Sequence, residues 1–257
     1  MIPWFEPPAL LGLDLDAVLA VGGVLLAMGW ARRRADEAGV PPRRIVDGLA
    51  LILVLALLLG HVLDVLLYRP AELVADWTVI LPWHGGYCSL GAALGFVLAV
   101  ALGFRAPGGG LRWGDLDALV PSLVLGLVPL RIGCFVGHHH AGRLSDFVLA
   151  VGFPGGARHD LGLYEALLAM AVFAGVWVVE RRARLAQGAV ALGATGAYAA
   201  GRFFLEFLRG QDLETLGRHS DPRCLGMTWV QAAALVAVVV VCGVWALRRR
   251  PQREGPR

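Results

Sequence analysis

Tyr198, Arg202 and Glu206 interrupt the largely apolar stretch GAVALGATGAYAAGRFFLEFL at 188–208. Each follows the last by four residues, so on a helix they form one stripe. The stretch matches the ~20 residues that cross a bilayer, and a charge at membrane depth costs about 3 kcal/mol. Arg202 must therefore face a polar interior. Two readings fit. Glu206 neutralises Arg202 as a structural pair, or Arg202 is a fixed cation that awaits an anionic ligand. Arg131, near the end of another apolar stretch, favours the second. Two buried arginines with one obvious carboxylate nearby suit an anion such as a phosphate, which a guanidinium fork grips with two bonds.

Further groups that could do chemistry fall in three segments. In LPWHGGYCSLG (81–91), His84 precedes two glycines, which let the backbone come close to a ligand. Its imidazole could take a proton from a nucleophile, or it caps a helix at the lipid–water boundary. In PLRIGCFVGHHHAGR (129–143), Cys134 and His138 have the spacing of a nucleophile and its base, and equally that of ordinary helix packing. Adjacent histidines on a helix point in different directions, and no acidic cluster accompanies His138, His139 and His140. They read as a polar interfacial turn, and no metal site is assigned. In GGARHDLGLYEALL (155–168), Asp160 has the place of a helix N-cap, with His159 before it and Tyr164 and Glu165 one turn in. Glu165 either pairs with an arginine of the site or belongs to an interfacial cap.

The elements that must position these groups are membrane helices. Of 257 residues, 57% are hydrophobic, and the mean hydropathy is +0.65, against about 45–50% apolar residues in a soluble globule. Apolar runs at about 13–31, 46–68, 86–104, 116–136, 161–179, 188–208 and 227–247 predict seven transmembrane helices. The expected class is all-α: one polytopic bundle over 1–257, ending in a basic cytoplasmic tail at 248–257. The first residues, MIPWFEPPALLGLDLD, lack the basic region of a cleavable signal, so the first helix is expected to stay. All basic residues are arginines, and most fall on alternate connections: Arg32, Arg33, Arg34, Arg43 and Arg44; Arg105 and Arg112; Arg181, Arg182 and Arg184; then the tail with Arg248, Arg249, Arg250, Arg253 and Arg257. Fewer, Arg69, Arg143, Arg158, Arg209, Arg218 and Arg223, fall on the others. The positive-inside rule then predicts an outside N-terminus and a cytoplasmic C-terminus. Arg131 and Arg202 come out near the outer leaflet, with His84, His138–His140, His159 and His219. Of the four cysteines, none forms a CxxC pair. Cys242 reads as packing, while Cys88 and Cys224 fall near one predicted face and could pair if oxidised.

Together, WARRRADEAGV, WHGGYCSLG, LRIGCFVGHHHAGR, RHDLGLYEALL and GAYAAGRFFLEFLRGQD followed by LGMTWVQ resemble the prolipoprotein diacylglyceryl transferase family, in order and over most of the chain. The resemblance implies a seven-helix enzyme of the bacterial inner membrane whose site opens to the outer leaflet. It implies transfer of the diacylglyceryl group of phosphatidylglycerol to the thiol of a lipobox cysteine in a prolipoprotein signal peptide. Glycerol phosphate leaves and a thioether remains. It implies that Arg131 and Arg202 are the two essential arginines, with catalytic parts for His84 and Tyr198. Gly142, Glu206, His159, Tyr164 and Glu165 join the arginines in binding the donor. Expected partners are phosphatidylglycerol, the signal peptide and membrane lipids; nucleic acid, a cofactor and a metal are not expected. The chain departs from the family pattern at LDLDAVLAVGG in the first helix and at GHVLDVLLY with His61 and Asp64 in the second. It departs again at Gly137 with its three histidines, and at Asp160-Leu161-Gly162. These departures keep two alternatives open: a divergent paralogue with another lipid donor or acceptor, and a non-catalytic phospholipid-binding protein.

Overall fold

The computed structural model describes residues 1–107, 110–216 and 223–249. Arg218, His219, Pro222, part of the turn at 106–110, and the tail from 250 onward with Arg250, Arg253 and Arg257 lie outside the described residues. The apolar runs become helices: α1 (Leu15–Glu37), α2 (Pro42–Tyr68), the short α3 (Pro70–Ala75), α4 (Ser89–Gly103), α5 (Trp113–Val136), α6 (Leu161–Arg182), α7 (Ala189–Leu205) and α8 (Trp229–Arg249). Five of them, α1, α2, α5, α6 and α8, are long and apolar enough to cross a membrane. The other two long runs give shorter helices, 15 residues in α4 and 17 in α7; at 1.5 Å per residue α4 is about 22 Å long.

Two expected boundaries move for local reasons. The third run starts its helix only at Ser89, because Gly85 and Gly86 adopt φ of 67° and 84°, outside the helical range. The sixth run leaves the α-helix at Leu205 and tightens into a 3-10 turn over Glu206–Leu208, with Arg209 N donating to the Glu206 carbonyl.

The all-α expectation needs a correction. Two-residue strands β1 (Ala9–Leu10) and β2 (Leu13–Asp14) pair ahead of α1, and β6 (Arg223–Cys224) and β7 (Met227–Thr228) pair ahead of α8. Between α5 and α6, β3 (Ala141–Leu144), β4 (Val151–Phe153) and β5 (Gly156–Asp160) form an antiparallel sheet of order β3-β5-β4. Its signals were short. Val151 and Phe153 alternate inward, and Pro154–Gly155 is a two-residue turn with Gly155 at φ 87°. Both sheet edges are covered. The Ile2 backbone bonds to Ala150 and Gly152 beside β4, and Gly142 of β3 bridges to Arg209.

α5 is the central helix and packs on α1, α6 and α7. At one end of the bundle the arginine-rich connections meet carboxylates. Arg34 pairs with Glu180 at 2.6 Å, and Arg112 bonds Asp115 at 2.8 Å. The Asp117 carboxylate accepts from Gly188 N and Ala191 N at the start of α7, at 2.6 and 2.8 Å. The last turns of α5 and α7, the first turn of α6 and the sheet lie at the other end.

Candidate active site

At that other end, α5 delivers Arg131, α6 delivers Glu165, and α7 with its 3-10 turn delivers Arg202, Glu206 and Arg209. Close approach of α5 and α6 makes the meeting possible. A Cβ on Gly162 would stand 2.6 Å from Phe135 N, so only glycine lets the start of α6 lie against the end of α5. Asp160 caps α6 as its sequence position predicts, its Oδ1 accepting from Leu163 N at 3.2 Å.

Glu165 is fully buried and shared. Its Oε2 lies 2.9 Å from Arg131 Nε and its Oε1 3.4 Å from Arg202 Nη2. Among the described residues, neither oxygen accepts a well-aligned hydrogen bond, so the attraction is coulombic. Glu206, also fully buried, takes a short hydrogen bond from Arg202 and faces Arg209 Nε at 2.6 Å. The Thr228 hydroxyl donates to Glu206 Oε1 at 3.2 Å. Thr228 and Gln231 exchange side chain-to-backbone bonds of 3.0 and 3.1 Å, a capping box that starts α8 and fixes that hydroxyl. Burying these charges is tolerable only because each has a partner of opposite sign.

Among the described residues, Arg131 Nη1 meets the weak acceptors Cys134 Sγ at 3.9 Å and His140 Nε2 at 3.3 Å. Tyr198 borders the same guanidinium. Burial, then the charges of Arg131, Arg209 and Arg202, hold His140 well below the usual histidine range. Its imidazole is therefore neutral near pH 7, which lets Nε2 accept from Arg131.

The histidine triplet divides. His138, with φ 52°, turns into the sheet domain, where it stacks on Trp4 and bonds the Phe5 carbonyl at 3.0 Å. His139 bonds Asp16 at the start of α1 at 2.7 Å, and His140 faces Arg131. Cys134 Sγ lies 3.9 Å from Arg131 Nη1. All four cysteines are free; Cys88 is buried ahead of α4, whereas Cys224 is exposed in the β6–β7 hairpin.

Beside the cluster, His159 Nδ1 lies 2.8 Å from the Tyr164 hydroxyl, with Phe147 against both rings. Gly142 is hemmed in: a Cβ there would be 2.5 Å from the Leu208 carbonyl and 2.8 Å from Leu161 Cδ1. Arg158 donates to the Gly142 carbonyl at 3.1 Å and pairs with Asp212 at 2.7 Å. Gly142 thus joins the sheet to the turn that carries Glu206 and Arg209.

His84 lies outside the three helices that carry the charged cluster. It ends a 3-10 turn (Pro82–His84) on an exposed loop, with Trp83 and Asp76 as its described neighbours. The loop is held by His61 of α2 and by the Asp64–Arg69 pair at its end; His61 and Asp64 are among the residues that depart from the family pattern.

The arginine pair has two buried carboxylates: Glu165, for which pairing with an arginine was one of two readings, joins Glu206. Arg209 and His140 also belong to the site. Arg209 could have been found, since it follows Glu206 by three residues on the same stripe. No local signal marked His140, whose contact depends on how the loop after α5 folds back.

Residues 13–248 match the family model described as prolipoprotein diacylglyceryl transferase. The chain is 32% identical over 263 residues to a protein of Solidesulfovibrio magneticus, covering 96% of each chain. It is 30% identical over 268 residues to one of Cupriavidus necator, covering 97% of this chain and 95% of the relative. It is 34% identical over 241 residues to one of Chromohalobacter salexigens, covering 91% and 88%. All three relatives are named phosphatidylglycerol–prolipoprotein diacylglyceryl transferase.

Proposed function

Since the chain belongs to the prolipoprotein diacylglyceryl transferase family, we propose that it carries out the reaction in its relatives' names. It moves the diacylglyceryl group of phosphatidylglycerol to the cysteine thiol of a prolipoprotein lipobox, the first step of lipoprotein maturation. The bundle crosses the inner membrane seven times, α4 and α7 adding to the five long helices. Its N-terminus is outside, its C-terminal tail is cytoplasmic, and the site faces the outer leaflet among the membrane lipids. The uneven placement of arginines along the chain supports that orientation.

The sulfur attacks the glycerol carbon that bears the phosphate. A carbon–sulfur bond forms, the carbon–oxygen bond breaks, and glycerol phosphate leaves with the electron pair. Negative charge grows on the phosphate oxygens, where Arg131 and Arg202 stabilise it from fixed positions. The observation that carries this reading is the set of partners at Arg131 Nη1. The neutral His140 and Cys134 are weak acceptors that an anionic oxygen displaces at small cost. Glu165 and Glu206 orient the two forks, and Tyr198 borders Arg131. His159, Tyr164 and Gly142 form the adjoining wall toward the donor. His84, on its exposed loop, takes the proton of the incoming thiol, whose pKa is ~8.5 when free.

The test is transfer itself. Purified protein in phosphatidylglycerol vesicles receives a lipobox peptide, and the product is identified by mass spectrometry. A thioether-linked diacylglyceryl group is expected, along with restored growth of cells depleted of their own enzyme. A different added mass would point to another lipid donor, and lipid binding without any product would overturn the enzymatic reading.

A further inference from the structure

Three side chains outside the arginine cluster converge on the backbone just after His84. His61, in the later turns of α2 and 1% exposed, has Nδ1 3.0 Å from the Gly86 carbonyl. Arg69, directly after α2, donates from Nη2 to the Gly85 carbonyl at 2.8 Å. Asp64 accepts from Arg69 Nε at 3.0 Å and so aims that guanidinium. Both carbonyls that follow His84 are therefore held from α2 and the residue that caps it. The Gly60 carbonyl, one residue before His61, also accepts from Cys88 N at 3.0 Å.

The loop needs such bracing. Two successive glycines at positive φ lose much conformational freedom when ordered. The bracing is also close: a Cβ on Gly86 would stand 2.4 Å from Asp64 Oδ2 and 2.5 Å from Arg69 Nη2. A carbonyl acceptor means that His61 carries its proton on Nδ1. His61 Nε2 is buried and has no hydrogen-bond partner among the described residues, so the described polar contact of the ring is to the loop.

We propose that His61, with the Asp64–Arg69 pair, is a positioning residue for the transfer reaction, fixing the Gly85–Gly86 backbone and thereby aiming His84. The proposal rests on the reading of His84 as the group that takes the thiol proton. It gives a purpose to two of the departures from the family pattern, His61 and Asp64: they are the loop's own support.

The test uses the full chain in phosphatidylglycerol vesicles, with kcat and the donor KM measured for wild type, H61L, H61N, H84A and the H61L/H84A double variant. H61L should lower kcat about tenfold to a hundredfold, as expected when a reacting group is misplaced by about 1 Å, and leave the donor KM within about threefold. H61N should recover most of the rate, because its amide can donate to the same carbonyl. The double variant should be no slower than H84A, because His61 acts through His84. If H61L does not assemble, R69Q, which removes the Gly85 bond, is read in the same way. Losses that multiply in the double variant, or H61L at the wild-type rate, would overturn the proposal while leaving the role of His84 intact. H84A at the wild-type rate would remove both His84 and its support from the reaction, and leave the arginine clamp untouched.

Discussion

Arg131 Nε lies 2.9 Å from Glu165 Oε2 across the α5–α6 contact, and the carboxylate has no exposure to solvent. The pair stands at the centre of the site because Glu165 reaches Arg202 with its other oxygen. Three helices are thus joined through one buried anion, and the predictions start there.

Arg131→Ala and Arg202→Ala should each abolish transfer, with a loss of at least about a hundredfold in kcat, the scale seen when one preorganised stabiliser is removed. Arg131→Lys keeps the charge but not the planar fork, and should recover little. Product formation by mass spectrometry checks both, and full activity in either alanine variant would sink the phosphate clamp.

Glu165→Gln should be nearly as damaging for a different reason. It removes the charge that two buried guanidiniums share, and stripping one partner from a buried ion network costs about 3–5 kcal/mol. Thermal unfolding in detergent should show a lowered Tm together with weak activity. An unchanged Tm would mean that Glu206 alone balances the arginines.

Gly142→Ala tests the packing. The new methyl would meet the Leu208 carbonyl at 2.5 Å, so the sheet must move away from the turn that carries Glu206 and Arg209. Overpacking of this kind costs about 1–3 kcal/mol. The variant should insert into the membrane yet lose most activity, and wild-type kinetics would argue against tight coupling of sheet and site.

Acid should weaken the protein through His140. Its folded pKa lies well below the ordinary value, so the folded state binds fewer protons than the unfolded one. The associated stability is fully present above about pH 6.5, the unfolded value, and is lost as pH falls from there toward the folded value. Protonation would also set a cation against Arg131. Tm should therefore drop between neutral and mildly acid pH while the folded protein keeps its neutral His140 and its activity in that window, and His140→Gln should flatten the Tm profile there.

Much of this molecule was legible along the chain because the governing physics is local. Runs of apolar residues predict helices. The i+4 spacing put Arg202 and Glu206 on one stripe, where they pair. Asp160 stands one residue before its helix and caps it. Such features depend on periods of 3.6 residues and on backbone groups only a few residues away. The first run's extension to Glu37 and the break at Gly85–Gly86 were boundary matters of the same local kind.

What only the tertiary structure decided depends on contacts between residues far apart in the chain. Glu165 precedes Arg202 by 37 positions, yet bridges it to Arg131 because α6 can lie against α5 at Gly162. The histidine triplet looked uniform in sequence, but its members have three different partners, Phe5, Asp16 and Arg131, none of them adjacent to it. The loop that carries His84 is braced from α2 by His61 and, just past its end, by Arg69, contacts made across 16 to 25 positions. No periodicity encodes these pairings. They follow from where close-packed helices leave room, and from the requirement that every buried charge find a partner when they do.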